Sequence, residues 1–297
     1  MQIAWNTRRL QLLRELQLRG TITEVARALS YSPSTVSQQL AQLEREVGAP
    51  LLQADGRRVR LTAQGEAVAE HAARVLALEE RVREEIDLAN PLPAPVRIAA
   101  LQTVARALVP GMLDALAESH PGLRVEIAVI PPEEGLFEVE ARGFDLVIAE
   151  QYPGHTRELR PGLDRVPLGR DPIRLAVGPD SGIRSLADAA GVAWVMEPPG
   201  TAVHAWSRQQ CRAAGFEPDV RFTAEDLLAQ VRLISAGHAV GLLPELLLAG
   251  DETPVALVDL PGSPTREIFT AAREASRTAP GVVAAREALG RVFDAAL

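Results

Sequence analysis

Residues 20–48 read "GTITEVARALSYSPSTVSQQLAQLEREVG", and this stretch decides the architecture. Ile22, Val25, Ala26 and Leu29 recur at the i, i+3, i+4, i+7 spacing of an amphipathic helix. Thr21 followed by Glu24 is a capping-box start for it. A next helix is predicted from Ser32 as N-cap with Pro33 at its first position, where a missing N–H costs nothing. Its apolar stripe is Val36, Leu40, Leu43 and Val47, and Gly48 ends it. Ser34, Thr35, Ser37, Gln38 and Gln42 fall off that stripe. They are short or amide side chains, suited to base edges and phosphates.

Working outward, Leu10, Leu13 and Leu16 predict a preceding helix. Downstream, "PLLQADGRRVRLT" reads as two short strands around Asp55-Gly56, studded with Arg57, Arg58 and Arg60. Thr62 caps a long helix running to about Asp87. Val68, Ala72, Val75, Val82 and Ile86 line one side of it, and Glu79, Glu80, Glu84 and Glu85 the other. That stripe calls for a partner, which is either a second subunit or the rest of the chain. "NPLPAP" (90–95) is a proline-rich hinge.

Beyond the hinge, strands alternate with helices as in an α/β sheet. Strands are predicted at 96–100, 123–130, 144–149, 173–177, 192–196, 220–223, 240–243 and 266–271. Helices are predicted near 104–118, 133–142, 185–190, 201–214, 225–236 and 281–296. Two such units leave a cleft between them, and ligands favour strand C-termini and helix N-termini there.

The bulk numbers restrict the function. The net charge is −8, yet residues 1–60 hold 9 Arg against 5 acids, and residues 61–297 hold 22 Arg against 34. The N-terminal part is therefore locally basic, the sign a polyphosphate partner requires. All basic residues are Arg, with no Lys. No apolar run reaches the roughly 18 residues of a membrane span, and the N-terminus lacks the pattern of a secretory leader. A cytoplasmic location and no membrane partner are expected. The single Cys211 has no partner in this chain for a disulfide, which favours a buried structural thiol over a redox sensor. No GxSxG, HExxH, phosphate-binding loop or Cys/His cluster is present, so a hydrolase, metalloprotease or NTPase lacks support. Two other classes stay in view: a solute-binding transport protein, and a nucleoid-type DNA binder without a ligand.

Residues 21–66, "TITEVARALSYSPSTVSQQLAQLEREVGAPLLQADGRRVRLTAQGE", resemble the LysR-type transcriptional regulators. The pattern is "A-x-x-L", then "S-x-S-x-V-S-x-Q-[I/L]-x-x-LE-x-x-x-G-x-x-L", an Arg-rich wing and "LT-x-x-G". "RIAA", "FDLVIAE" and "ISAGHAVGLLPELL" extend the likeness over the remainder. The resemblance implies a multidomain α/β protein. Its parts are a winged helix-turn-helix over 1–62, a linker and dimerisation helix over 63–90, and an effector domain over 91–297 similar to periplasmic binding proteins. Lobe I spans about 95–168 plus 266–297, and lobe II about 169–265. It further implies a dimer of dimers on an interrupted palindrome of double-stranded DNA, RNA polymerase contact, and a small-molecule effector in place of any metal or other cofactor.

On this reading DNA is contacted by Ser32, Pro33, Ser34, Thr35, Ser37, Gln38 and Gln42, with Gln38 reading bases, and by Arg57, Arg58 and Arg60 of the wing. The resemblance places the effector at Gln102, Thr103, Pro132, Glu150, Gln151, Gly200, Thr201, Val203, Phe222 and Thr223. Thr103 and Thr201 either offer hydroxyls to an anion or simply cap their helices. In "LQTVAR" Gln102 departs from the small residues common there, which argues against a simple carboxylate ligand. His204 and Trp206 either shape the pocket or pack.

Overall fold

Asn6 accepts from the backbone N–H groups of Arg8 and Arg9 and starts α1 (Thr7–Arg19), which ends at Gly20 in the left-handed conformation. Thr21 caps α2 (Ile22–Ala28), and Ser32 caps α3 (Pro33–Val47), accepting from the N–H of Thr35. These elements belong to a computed structural model that describes residues 5–56, 58–87, 95–154, 160–249 and 255–296. Arg57 and most of the 90–95 hinge lie outside the described residues. Leu13 and Leu16 of α1, Val25 of α2, and Val36, Leu40 and Leu43 of α3 form one core with Val68, Ala69 and Ala72. Each fully buried Leu contributes about 1.5–3 kcal/mol. Val47, predicted in the stripe, is only half-buried.

A hairpin of β1 (Leu52–Asp55) and β2 (Arg58–Leu61) follows, then α4 (Ala63–Asp87). Two contacts fix the hairpin to the helices. The Glu44 carboxylate accepts from the N–H groups of Leu51 and Leu52 at 2.8 and 3.1 Å. Thr62 donates to the carbonyl of Pro50 and accepts from the N–H of Gly65. Gly65 approaches so closely that a Cβ there would meet the Leu51 carbonyl oxygen at 2.1 Å.

The chain divides into two compact units, Met1–Leu92 with Glu140–Gly143, and Pro93–Val139 with Phe144–Leu297. The second unit opens with β3 (Val96–Ala100), α5 (Gln102–Ala107), α6 (Val109–Ser119), β4 (Val125–Val129), α7 (Pro132–Glu140), β5 (Leu146–Gln151) and β6 (Leu163–Val177). β7 (Ala193–Met196), α8 (Ala202–Ala213), β8 (Asp219–Thr223), α9 (Leu227–Ser235), β9 (Gly241–Pro244) and β10 (Ala256–Val258) follow. β11 (Thr265–Arg273) and α10 (Pro280–Ala296) close it.

In the first lobe the strand order is β4-β3-β5-β11-β6, parallel among the first three and antiparallel thereafter. Ile98, Ile148 and Ile268 face Leu108, Met112 and Leu289, while Ala99, Val147 and Phe269 cover the other side with Val139. β6 continues into the second lobe, where its last residues pair with β9 and β10. There Trp194 and Trp206 pack with Leu175 and Cys211, and β7 pairs with β8.

Three predicted elements differ from the observed ones. The strand expected at 173–177 begins ten residues earlier, because the whole of 163–172 pairs with β11 despite Pro167 and Pro172; a register shift between Ile268 and Phe269 absorbs the irregularity. The single helix expected near 104–118 is two, interrupted at Leu108 ahead of Pro110. The stretch expected as a helix near 185–190 is a 3₁₀ turn at Ala187–Gly191.

Candidate functional site

Two surfaces carry the residues singled out above. On α3, Ser32, Pro33, Ser34, Ser37 and Gln38 are exposed and Thr35 is half-buried. The hydroxyls are already engaged locally: Ser32 caps Thr35 and lies 2.8 Å from Ser34 Oγ, and Ser37 donates to the Pro33 carbonyl. Gln38 has no hydrogen-bond partner among the described residues. An exposed, unsatisfied amide one turn into a helix is free to pair with an adenine edge. Gln42 differs, since its amide accepts from Arg45 and donates to Glu46 along the helix. Arg60 is exposed on the wing, 3.9 Å from Asp55. Arg58 begins β2, and Arg57 lies outside the described residues.

The second surface is a cavity of about 510 Å³ between the two lobes of the C-terminal unit. Gln102, Thr103, Pro132, Glu150, Thr201 and Val203 all line it. Four other expected contacts do not. The Gln151 side chain accepts from Arg165 at 2.7 Å, Phe222 packs with Val195 and Val231, and Gly200 and Thr223 are exposed elsewhere.

Thr201 caps α8, accepting from the N–H of His204 and donating to the Pro198 carbonyl. Thr103 is not a cap. It is buried inside α5, where its hydroxyl accepts from Arg266 Nη2 at 2.7 Å. Gln102 reaches across the cleft, donating to Asp226 at 3.2 Å and accepting from the N–H of Leu227 at 3.4 Å. His204 donates from Nδ1 to the Glu197 carbonyl at 2.8 Å, and Trp206 is buried 5.4 Å from Tyr152. Both pack rather than line the cleft. Cys211 is also buried, and that burial pushes its thiol up to about 12, which removes the thiolate a redox sensor needs.

Two residues that organise the cleft are absent from the sequence reading. Arg266 is buried and holds Asp171 at 2.6 Å, together with Glu150 and Thr103. Asp171 accepts in turn from the N–H of Leu246 at 2.9 Å. This network joins β5, β6, β11 and α5 where the crossover strands pass between lobes. Nothing local in "SPTREIF" signals it, because its partners lie far away in the chain. Glu197 is the other, directly after β7, and the preference of ligands for strand C-termini was signal enough to find it. Burial, then the nearby Glu150 carboxylate, raises its pKa to about 7, against an opposing pull from Arg266.

A helix-turn-helix with a free amide on its third helix, followed by a two-lobed domain with a ligand-sized cleft, defines a ligand-responsive DNA reader. Comparison with known families agrees. The family described as "Bacterial regulatory helix-turn-helix protein, lysR family" matches residues 7–66, and "LysR substrate binding domain" matches residues 89–294. The chain belongs to the LysR family of DNA-binding transcriptional regulators.

It is 29% identical to the transcriptional activator IlvY of Salmonella typhimurium over 241 residues, covering 77% of this chain and 79% of that protein. It resembles a full-length OxyR variant from Pseudomonas aeruginosa with a TM-score of 0.68 at 17% identity, covering 97% and 95% of the two chains. Full-length CbnR complexed with its target DNA matches with a TM-score of 0.56 at 23% identity, covering 97% and 100%. Among the described residues no helix is long and apolar enough to cross a membrane, and no group of three or more His, Cys, Asp or Glu could hold a metal.

Proposed function

We propose that the chain binds an interrupted palindromic operator as an oligomer paired through α4, and that a small effector in the inter-lobe cleft switches transcription. The observation that carries this reading is the cleft, whose cavity falls in the size range of ligand sites and is bridged by Gln102. A ligand there acts through its different affinity for open and closed arrangements of the lobes. The oligomer rests on α4. Its first half is buried within its own unit through Val68, Ala69 and Ala72, whereas Leu78, Val82 and Ile86 are 57%, 46% and 64% exposed. Those three lie on one stripe of the helix, as a helix-pairing seam requires. Tetramer formation and RNA polymerase contact extend the same reading.

Genomic footprinting of the purified protein, with and without a metabolite library, tests it. At least one metabolite changes the extent of the footprint for the native chain, and Val129→Trp, which narrows the cleft, weakens that response. Identical footprints under every condition contradict the switch.

A further inference from the structure

The cleft proposed as the effector site has an unbalanced lining. Five carboxyl groups face it, from Glu133, Glu150, Glu197, Glu225 and Asp226, against the single guanidinium of Arg266. That guanidinium is already paired with Glu150 and with Asp171 behind it. Helix N-termini ordinarily favour anions, and α5, α7, α8 and α9 all begin at the cleft. Here Asp226 caps α9, and Glu133 and Glu134 occupy the first turn of α7, so two of the four positive ends are answered by carboxylates, while at the start of α5 the Gln102 side chain is held by Asp226 and the N–H of Leu227. The start of α8 is capped by Thr201.

Glu197 has no hydrogen bond or ion pair to its carboxylate among the described residues. A half-buried carboxylate without a counterion is costly unless a ligand supplies one. Leu101, Val129, Ile130 and Leu227 complete the wall with apolar surface.

Resting on the cleft as the effector site, we propose that its ligand is an organic cation. An ammonium or guanidinium group sits against Glu197 and Glu225, and a short apolar body lies along Val129 and Ile130. An entering carboxylate would meet the same five acids with no unpaired cation in the lining to receive it. A cation favours ionised Glu197, so binding near neutrality displaces a proton from it. The charged groups facing Glu197 are Glu150 on β5, Arg266 on β11, Glu225 ahead of α9 and Glu133 on α7. Tyr152, whose pKa burial holds well above its ordinary value, stays neutral, and His204 of α8 is engaged with the Glu197 carbonyl.

Calorimetric titration of the full chain with probes built on one five-carbon skeleton tests the proposal. These are cadaverine, pentane-1,5-diol and glutarate, with agmatine as the guanidinium probe. Cadaverine or agmatine binds at millimolar concentration or below, while the diol and glutarate do not. The cation's affinity rises about tenfold from pH 6 to pH 8, following the ionisation of a group with a pKa near neutrality. Glu197→Gln removes that pH dependence and weakens the cation about tenfold. If that variant does not fold, Glu225→Gln, at an exposed position, still weakens it severalfold.

Failure of both cations to bind overturns the proposal. So does binding of glutarate in their place, or cation binding indifferent to pH and to both variants. Val129→Trp separates the two layers of the reading. Glutarate binding that Val129→Trp abolishes leaves the cleft standing and removes the cation. Cadaverine binding that survives Val129→Trp and is also unmoved by Glu197→Gln places it outside the cleft and removes the cation, leaving the effector-site reading to the footprints.

Discussion

Arg266 shows how much one residue far from any motif can organise. It is buried, and its guanidinium satisfies two carboxylates and a hydroxyl from three other elements. Arg266→Met removes the countercharge from buried Asp171 and costs about 3–5 kcal/mol, measured by chemical denaturation. Glu197 behaves in the opposite sense. Its pKa is about 7 in the fold against 4.5 ordinarily, so the native state holds the extra proton. Stability is therefore unaffected by this group below pH 4.5 and falls as pH rises from there to 7. Glu197→Gln accordingly raises the Tm at pH 8 and leaves it nearly unchanged at pH 4, read from thermal melts. At this scale the sequence showed Gln38, Gln102 and Thr201, which sit within the first two turns, or at the cap, of elements that local patterning already located. It could not show Arg266, whose burial depends on Glu150 and Asp171, 116 and 95 residues away.

Among the elements, the legible ones are those whose signals are local. The caps at Thr21 and Ser32 and the left-handed Gly48 placed α2 and α3 without tertiary information. "LT-x-x-G" has a local cause too, since Thr62 caps α4 and Gly65 lets the Leu51 carbonyl pass. Gly65→Ala forces that backbone apart and costs about 1–3 kcal/mol in a denaturation experiment. By contrast β6 contains Pro167, Gly169 and Pro172, which disguise it as a loop, and only pairing with β11 makes it a strand. The stripe on α4 admitted either a second subunit or the rest of the chain, and the two halves of the helix differ along its length. Its N-terminal half is buried in its own core, and its C-terminal half exposes Leu78, Val82 and Ile86. If those residues pair subunits, the double substitution Val82→Glu and Ile86→Glu reduces the assembly to monomers in sedimentation. An unchanged sedimentation coefficient refutes pairing through α4.

For the whole molecule, the acidic total conceals a basic reader joined to an acidic sensor. On the proposed reading, charge on the first sixty residues supplies affinity for any duplex, and the exposed amide of Gln38 supplies preference among duplexes. The two contributions separate by mutation: Arg60→Ala lowers affinity for all duplexes alike and flattens the salt dependence. The central claim, that the exposed face of α3 reads the operator, is tested most directly with Gln38→Ala. Its affinities for the operator and for an unrelated duplex are compared at one salt concentration. Operator affinity is expected to fall about tenfold or more while affinity for the unrelated duplex is unchanged. A preserved ratio between the two duplexes would contradict it.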